Sequence, residues 1–228
     1  MFNENLTLPF LVSLDEIPHL WQHSDALIFL VDLNDYDTLN TGYLSSIELE
    51  SLARLKTSYF KRRYIISRTV LKRILCKVTG ERSASGISTY KDRNGRVCIF
   101  NNSELYICIS YTESVAVLAV SKVEIGIDIE LEKKLALKSN LKDLSMKLLS
   151  TDEPISDTDL LKIWTLKEAY SKFSNNKMHL IFNKELDLSS VNYRTFILNE
   201  KYILSVITSS KSHTININRL HRIDFNYD

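Results

Sequence analysis

The chain has 228 residues, 44% of them hydrophobic and 25% charged, and 29 basic against 28 acidic residues leave a net charge of +1. This length buries a real core in one large domain or two small ones, and the charge balance gives no global field for nucleic acid or a membrane surface. No apolar run approaches a membrane span, and "MFNENLTLPF" lacks the charged-then-apolar layout of a signal peptide. Three widely spaced cysteines (Cys76, Cys98, Cys108) form no C-x-x-C pair and read as reduced thiols, Cys98 and Cys108 as buried ones, so a cytoplasmic protein is expected.

With five Gly and three Pro, the chain has no flexible linker. "DALIFLVDL" (Asp25 to Leu33) predicts an early strand. From Ser46 to Val78 the apolar residues Leu55, Tyr59, Ile66, Val70 and Ile74 recur at helical spacing without a proline, which predicts one or two long helices. Arg54, Lys56, Lys61, Arg62, Arg63, Arg68, Lys72 and Arg73 lie here with no acid among them. They read either as a solvated face or as a docking surface for phosphates, an acidic protein or nucleic acid.

"GISTYKDRNGRVCIF" has the form of a β-hairpin turning at Asn94-Gly95. "ELYICIS", "SVAVLAVS" and "EIGIDIE" follow as three strands. Helices are predicted near Leu141 to Leu149 and from Thr158 to Phe173, and "TFILN", "KYILSVIT" and "HTININ" close the chain as strands. The order predicts an α+β protein of two halves of similar build meeting near residue 120, residues 1–120 and 121–228.

In "VEIGIDIELEKK" the alternation of Val123, Ile125, Ile127 and Ile129 with polar residues and Gly126 predicts a half-buried strand. Asp128 and Glu130 then share a face about 7 Å apart, where like charges repel. Either they form a solvated face, or they hold a hard dication such as Mg²⁺, whose remaining ligands come from water and a substrate phosphate. In "WTLKEAYSK", Glu168 and Lys172 stand one helical turn apart, as a surface ion pair or as functional groups. Arg96 in "NGRV" can grip a phosphate, and Ser110, Tyr111 and Thr112 in "ISYT" offer hydroxyl donors. The five histidines show no metal-ligand spacing, and neither a Walker glycine loop nor a G-x-S-x-G elbow is present.

Taken jointly, these segments resemble the Sfp-type 4′-phosphopantetheinyl transferases. The family signature is a G-[IV]-D-[IV]-E strand followed some forty residues later by W-[ST]-x-K-E-[AS]-x-x-K; here they stand as "GIDIE" (Gly126 to Glu130) and "WTLKEAYSK" (Trp164 to Lys172). "ARLKTSYFKRRYIISRTVLKRIL" looks like the family's arginine-rich helix, "NGRV" like its G-[KR]-P element and "ICISYT" like its N-[IL]-S-H-[ST] strand. The resemblance implies a pair of pseudo-symmetric α+β subdomains with coenzyme A in the cleft between them; the two-halved length favours a monomer. By resemblance Asp128, Glu130 and Glu168 bind Mg²⁺, and Lys172 holds the pyrophosphate. Glu168 is the base for the carrier serine, and Arg63 and Arg96 are candidates for the 3′-phosphate, with Ser110, Tyr111 and Thr112 completing the coenzyme site. The reaction implied moves the phosphopantetheine arm onto a serine of an acyl or peptidyl carrier protein and releases 3′,5′-ADP. Such carriers serve fatty-acid synthesis or secondary-metabolite biosynthesis.

Three departures accompany the resemblance. Tyr111 and Cys108 replace the His and Asn of N-[IL]-S-H-[ST], which removes an imidazolium and implies weaker coenzyme A binding. Ser51 falls near a position where the family often has a basic phosphate ligand. The G-x-G after the last lysine becomes Asn175-Asn176-Lys177, of which Asn accepts a left-handed backbone more readily than Lys. Two rival readings follow: a degenerate member that binds carrier protein or coenzyme A without transfer, and, more distantly, a nucleic-acid-binding domain using the basic helix.

Overall fold

The structure is a computed structural model, described for residues 4–6, 9–36, 40–132, 156–181, 186–199, 201–209 and 214–223. The helix expected at Leu141 to Leu149 lies outside the described residues. In chain order the elements are β1 (Glu4–Leu6), β2 (Phe10–Val12), α1 (Ile17–Gln22), β3 (Ala26–Asp32), α2 (Ser46–Ala53), α3 (Ser58–Thr79), β4 (Thr89–Lys91), β5 (Val97–Ile99), β6 (Tyr106–Thr112), β7 (Val115–Ser121) and β8 (Ile125–Leu131). They continue as α4 (Asp157–Phe173), α5 (Met178–Ile181), β9 (Asn192–Leu198), β10 (Tyr202–Thr208) and β11 (Ile215–Leu220). The protein is α+β. No described helix is long and apolar enough to cross a membrane.

The chain forms two compact units. One comprises Met1–Pro9, Ser110–Glu113 and Glu124–Ser212; the other comprises Phe10–Ile109, Ser114–Val123 and His213–Asp228. These differ from the consecutive stretches 1–120 and 121–228 because each terminus is built into the other half's sheet. Strand β1 runs parallel to β9, and β11 runs parallel to β3 and β2. Neither pairing leaves a mark in local periodicity.

In the first unit the sheet order is β1-β9-β10-β8. β10 pairs antiparallel with both neighbours, setting Ser205 opposite Asp128 and Ile203 opposite Glu130. Helix α4 lies on β8 and β10. Ser156 caps it by accepting from the Asp159 amide at 3.1 Å, and Asp157 and Asp159 at its start with Lys172 at its end suit the helix dipole. Its apolar residues divide into two clusters: Leu160 and Leu161 with Ile203 and Trp164, then Leu166 and Ala169 with Val191 and Ile207. The helix changes the reading of β8. Gly126 and Asp128 are buried along with the isoleucines, so the strand expected to have one wet face is covered on both, with only Glu130 half-buried.

In the second unit the sheet order is β2-β11-β3-β7-β6, with β3 antiparallel to β7. Six of seven residues in β3 and all seven in β7 are buried, as a central strand pair requires. The predicted helical region divides into α2 and α3. Thr57 caps α3 by accepting from the Phe60 amide at 3.2 Å, and Gly80, at φ 77°, closes it in the left-handed conformation. The hairpin forms as β4 and β5, and its turn is organised by Asp92, whose Oδ1 accepts from the amides of Asn94 and Arg96, both at 2.9 Å. Cys108 is buried; Cys98, expected to be so, is half-buried because it lies on this short two-stranded hairpin.

The basic helix is not the open cationic surface its composition allows. Lys72 is fully buried and ion-paired with Glu48 at 2.6 Å. Arg62 donates to the carbonyls of Leu33 and Tyr36. Arg68 is buried over the Tyr64 ring, and Arg54 pairs with Glu50. These acids and carbonyls come from neighbouring segments, so counting acids within the helix overstates its unneutralised charge. Lys56 and Lys61 remain exposed.

Candidate active site

The "GIDIE" strand and the "WTLKEAYSK" helix meet in the first unit. Contact is made possible by Gly126: a Cβ there would stand 2.1 Å from the Ala169 carbonyl oxygen and 2.5 Å from the Phe173 amide nitrogen. The helix backbone therefore rests directly on the strand, a close approach that glycine within a strand can signal. Glu168 flanks Ala169, and Lys172 flanks Phe173, so the same seating brings both of these residues to β8.

Asp128 is 2% exposed. Its Oδ1 accepts from Lys172 Nζ at 2.7 Å and from Ser110 Oγ at 2.6 Å. Lys172 Nζ also donates to Ser110 Oγ at 3.0 Å, and the Ile129 amide donates to the same oxygen at 3.3 Å. Asp128 Oδ2 is buried and has no hydrogen-bond partner. The Glu168 carboxyl is pushed up to about 7 by burial first and then by the Asp128 carboxylate, with Glu130 adding to the rise and Lys172 opposing it. Asp128 faces Glu168 closely enough to hydrogen-bond with its protonated form. Two carboxylates thus act on the Glu168 carboxyl, and one ammonium offsets part of their effect.

The donor set tests whether a hard dication fits. Among the described residues, no group of three or more His, Cys, Asp or Glu side chains stands as a ready metal centre. Asp128 and Glu168 nevertheless supply oxygen donors and negative charge of the kind a hard cation takes. The residues fit Mg²⁺ in chemistry and charge.

Of the residues picked out by sequence, Ser110, Asp128, Glu168 and Lys172 come together, and Glu130 joins them through its charge. Tyr111 is half-buried beside them in the chain. Thr112 is buried, with an Oγ1 that has no hydrogen-bond partner. Arg63 and Arg96 belong to the second unit. The Arg63 guanidinium lies over the rings of Tyr59 and Phe60 at 5.7 and 5.5 Å, and the Arg96 amide supports the hairpin turn. Asn175, in the segment replacing G-x-G, takes the left-handed backbone at φ 52°. Sequence reasoning missed the seating role of Gly126 and the bond from Ser110 to Asp128. The glycine inside a strand was a signal for the first; nothing local signals the second.

No protein-family model matches the chain, and no curated protein sequence matches it.

Proposed function

We propose that the protein is a 4′-phosphopantetheinyl transferase, moving the phosphopantetheine arm of coenzyme A to a serine of an acyl or peptidyl carrier protein. The observation that carries this reading is the convergence of Asp128, Glu168 and Lys172 from two motifs some forty residues apart. A solvated D-x-E strand and an ordinary surface i,i+4 pair would have no reason to meet in a buried cluster with an unpartnered oxygen.

In this reading the carrier serine oxygen attacks the β-phosphorus of coenzyme A, the bond from that phosphorus to the bridging oxygen breaks, and 3′,5′-ADP departs. Glu168, its carboxyl pushed up to about 7, accepts the serine proton. The Lys172 ammonium, 31% exposed at its side chain, faces the charge that gathers on the departing oxygens. Asp128, Glu130 and Glu168 would hold Mg²⁺, which when bound supplies positive charge to the diphosphate. Tyr111 and Thr112 of this unit are the coenzyme-binding residues that this reading keeps from the resemblance; the Ser110 hydroxyl is already engaged with Asp128 and Lys172.

The test is to mix the protein with coenzyme A, Mg²⁺ and an apo carrier protein and to weigh the carrier. Gain of one phosphopantetheine arm that disappears with EDTA supports transfer. Carrier binding without a mass change supports the degenerate, non-catalytic reading that Tyr111 motivates. Glu168→Gln should lower turnover by at least about 100-fold while the circular dichroism spectrum is unchanged; near-wild-type turnover would remove Glu168 from its role.

A further inference from the structure

Ser110 has no proton to offer a phosphate. A serine hydroxyl carries one donor and two lone pairs. Here the donor goes to Asp128 Oδ1 at 2.6 Å, and the lone pairs take the Ile129 amide at 3.3 Å and Lys172 Nζ at 3.0 Å. The hydroxyl is saturated, in a residue only 3% exposed. The bonds that Asp128 accepts from Ser110 and Lys172 both fall on Oδ1, and Oδ2 is buried and takes neither of them.

We infer that Ser110 is a positioning residue that fixes the Asp128 carboxylate through Oδ1 and so presents Oδ2 to a divalent cation, instead of binding coenzyme A. The inference rests on the phosphopantetheinyl-transferase reading for the identity of the cation and of the substrate. The backbone amide of Ile129, next to Asp128 in β8, anchors the hydroxyl from the same strand. Ser110 thereby ties β6 to the side chain it orients, and rotation of the Asp128 carboxylate would break both of its bonds on Oδ1. Hydrogen-bond partners of ligating carboxylates commonly tune metal affinity by about 10- to 100-fold.

The experiment titrates the full-length protein with Mn²⁺ alone, following free Mn²⁺ by electron paramagnetic resonance, in wild type, Ser110→Ala and Ser110→Thr. Ser110→Ala should weaken Mn²⁺ binding by about tenfold or more, and Ser110→Thr, which keeps the hydroxyl, should recover most of it. At saturating metal, the KM for coenzyme A should be the same in all three. Mn²⁺ affinity unchanged in Ser110→Ala, with a raised KM for coenzyme A, would make the hydroxyl a phosphate donor and overturn the inference alone. Should Ser110→Ala not fold, Ser110→Thr decides the matter: Mn²⁺ affinity equal to wild type upholds the inference, and a loss of about tenfold overturns it. Wild-type protein that binds no Mn²⁺ would overturn the ion site itself, and this inference with it.

Discussion

Two lysine–carboxylate pairs with buried acids, one in each unit, are built to opposite specifications. In the second unit Glu48 and Lys72 are both fully buried. Glu48 Oε2 accepts from Lys72 at 2.6 Å and from the Ser45 amide at 2.8 Å; Oε1 accepts from the Thr89 amide at 3.2 Å and from the Thr89 hydroxyl. Lys72 also donates to the Tyr43 carbonyl. In the first unit Asp128 has both of its bonds on one oxygen, Lys172 is partly open, and a second carboxyl, Glu168, sits beside them with its pKa held up to about 7. A closed network locks α2, α3 and β4 together. The open one leaves charge unspent, which is a liability for stability and a resource for binding a cation.

The contrast breaks most sharply on stability. Glu48→Gln strands the buried Lys72 ammonium and should cost about 3–5 kcal/mol in urea unfolding, whereas Asp128→Asn should change stability by less than about 1 kcal/mol. Equal losses at the two sites would show that the open pair is structural as well. Next in size is Gly126→Ala, whose added methyl meets helix backbone and should cost about 1–3 kcal/mol. Mn²⁺ affinity should fall with it, because α4 can no longer seat Glu168 against β8.

A pH series sharpens the comparison further. The folded protein holds the Glu168 proton up to about 7, while the unfolded chain releases it near the ordinary value of 4.5. This group's contribution to stability is therefore fully present below about 4.5 and is lost as pH rises through 7. In EDTA the wild-type melting temperature should accordingly contain a component that falls between about pH 5 and 8, and Glu168→Gln should lack it. Asp159, held below its ordinary 3.8 by Ser156 and then Lys162, works in the reverse sense and only at more acidic pH. A wild-type curve parallel to that of Glu168→Gln would deny the raised carboxyl. The smallest effect belongs to Tyr111→His: restoring an imidazole should lower the KM for coenzyme A by about fivefold, equivalent to about 1 kcal/mol. An unchanged or higher KM would show that Tyr111 does not weaken the coenzyme pocket.

Much of the architecture was legible because it is local. Apolar runs marked β3, β7 and β10, apolar alternation marked β8, and an apolar stretch of helical length marked α4. The short strands β1 and β2 and the helix α1 escaped notice; three residues of strand, or six of helix, are too few for a period to show. The acids of the candidate site were legible as a repulsive pair in need of an explanation. Their surroundings were not. The eight basic residues read as a solvated face or a docking surface, yet Lys72 and Arg68 are buried and Arg62 is bonded to two carbonyls.

The amino-acid sequence alone determined the α+β order of elements and the identities of Asp128, Glu130, Glu168 and Lys172, because periodicity and residue chemistry are carried by near neighbours. Tertiary structure alone decided that β8 is covered on both faces, that Glu48 closes around Lys72 from 24 residues away, and that Ser110 meets Lys172 across 62. Each of those outcomes depends on which distant backbone packs against which. A hydrogen bond has no sequence period by which to announce its partner.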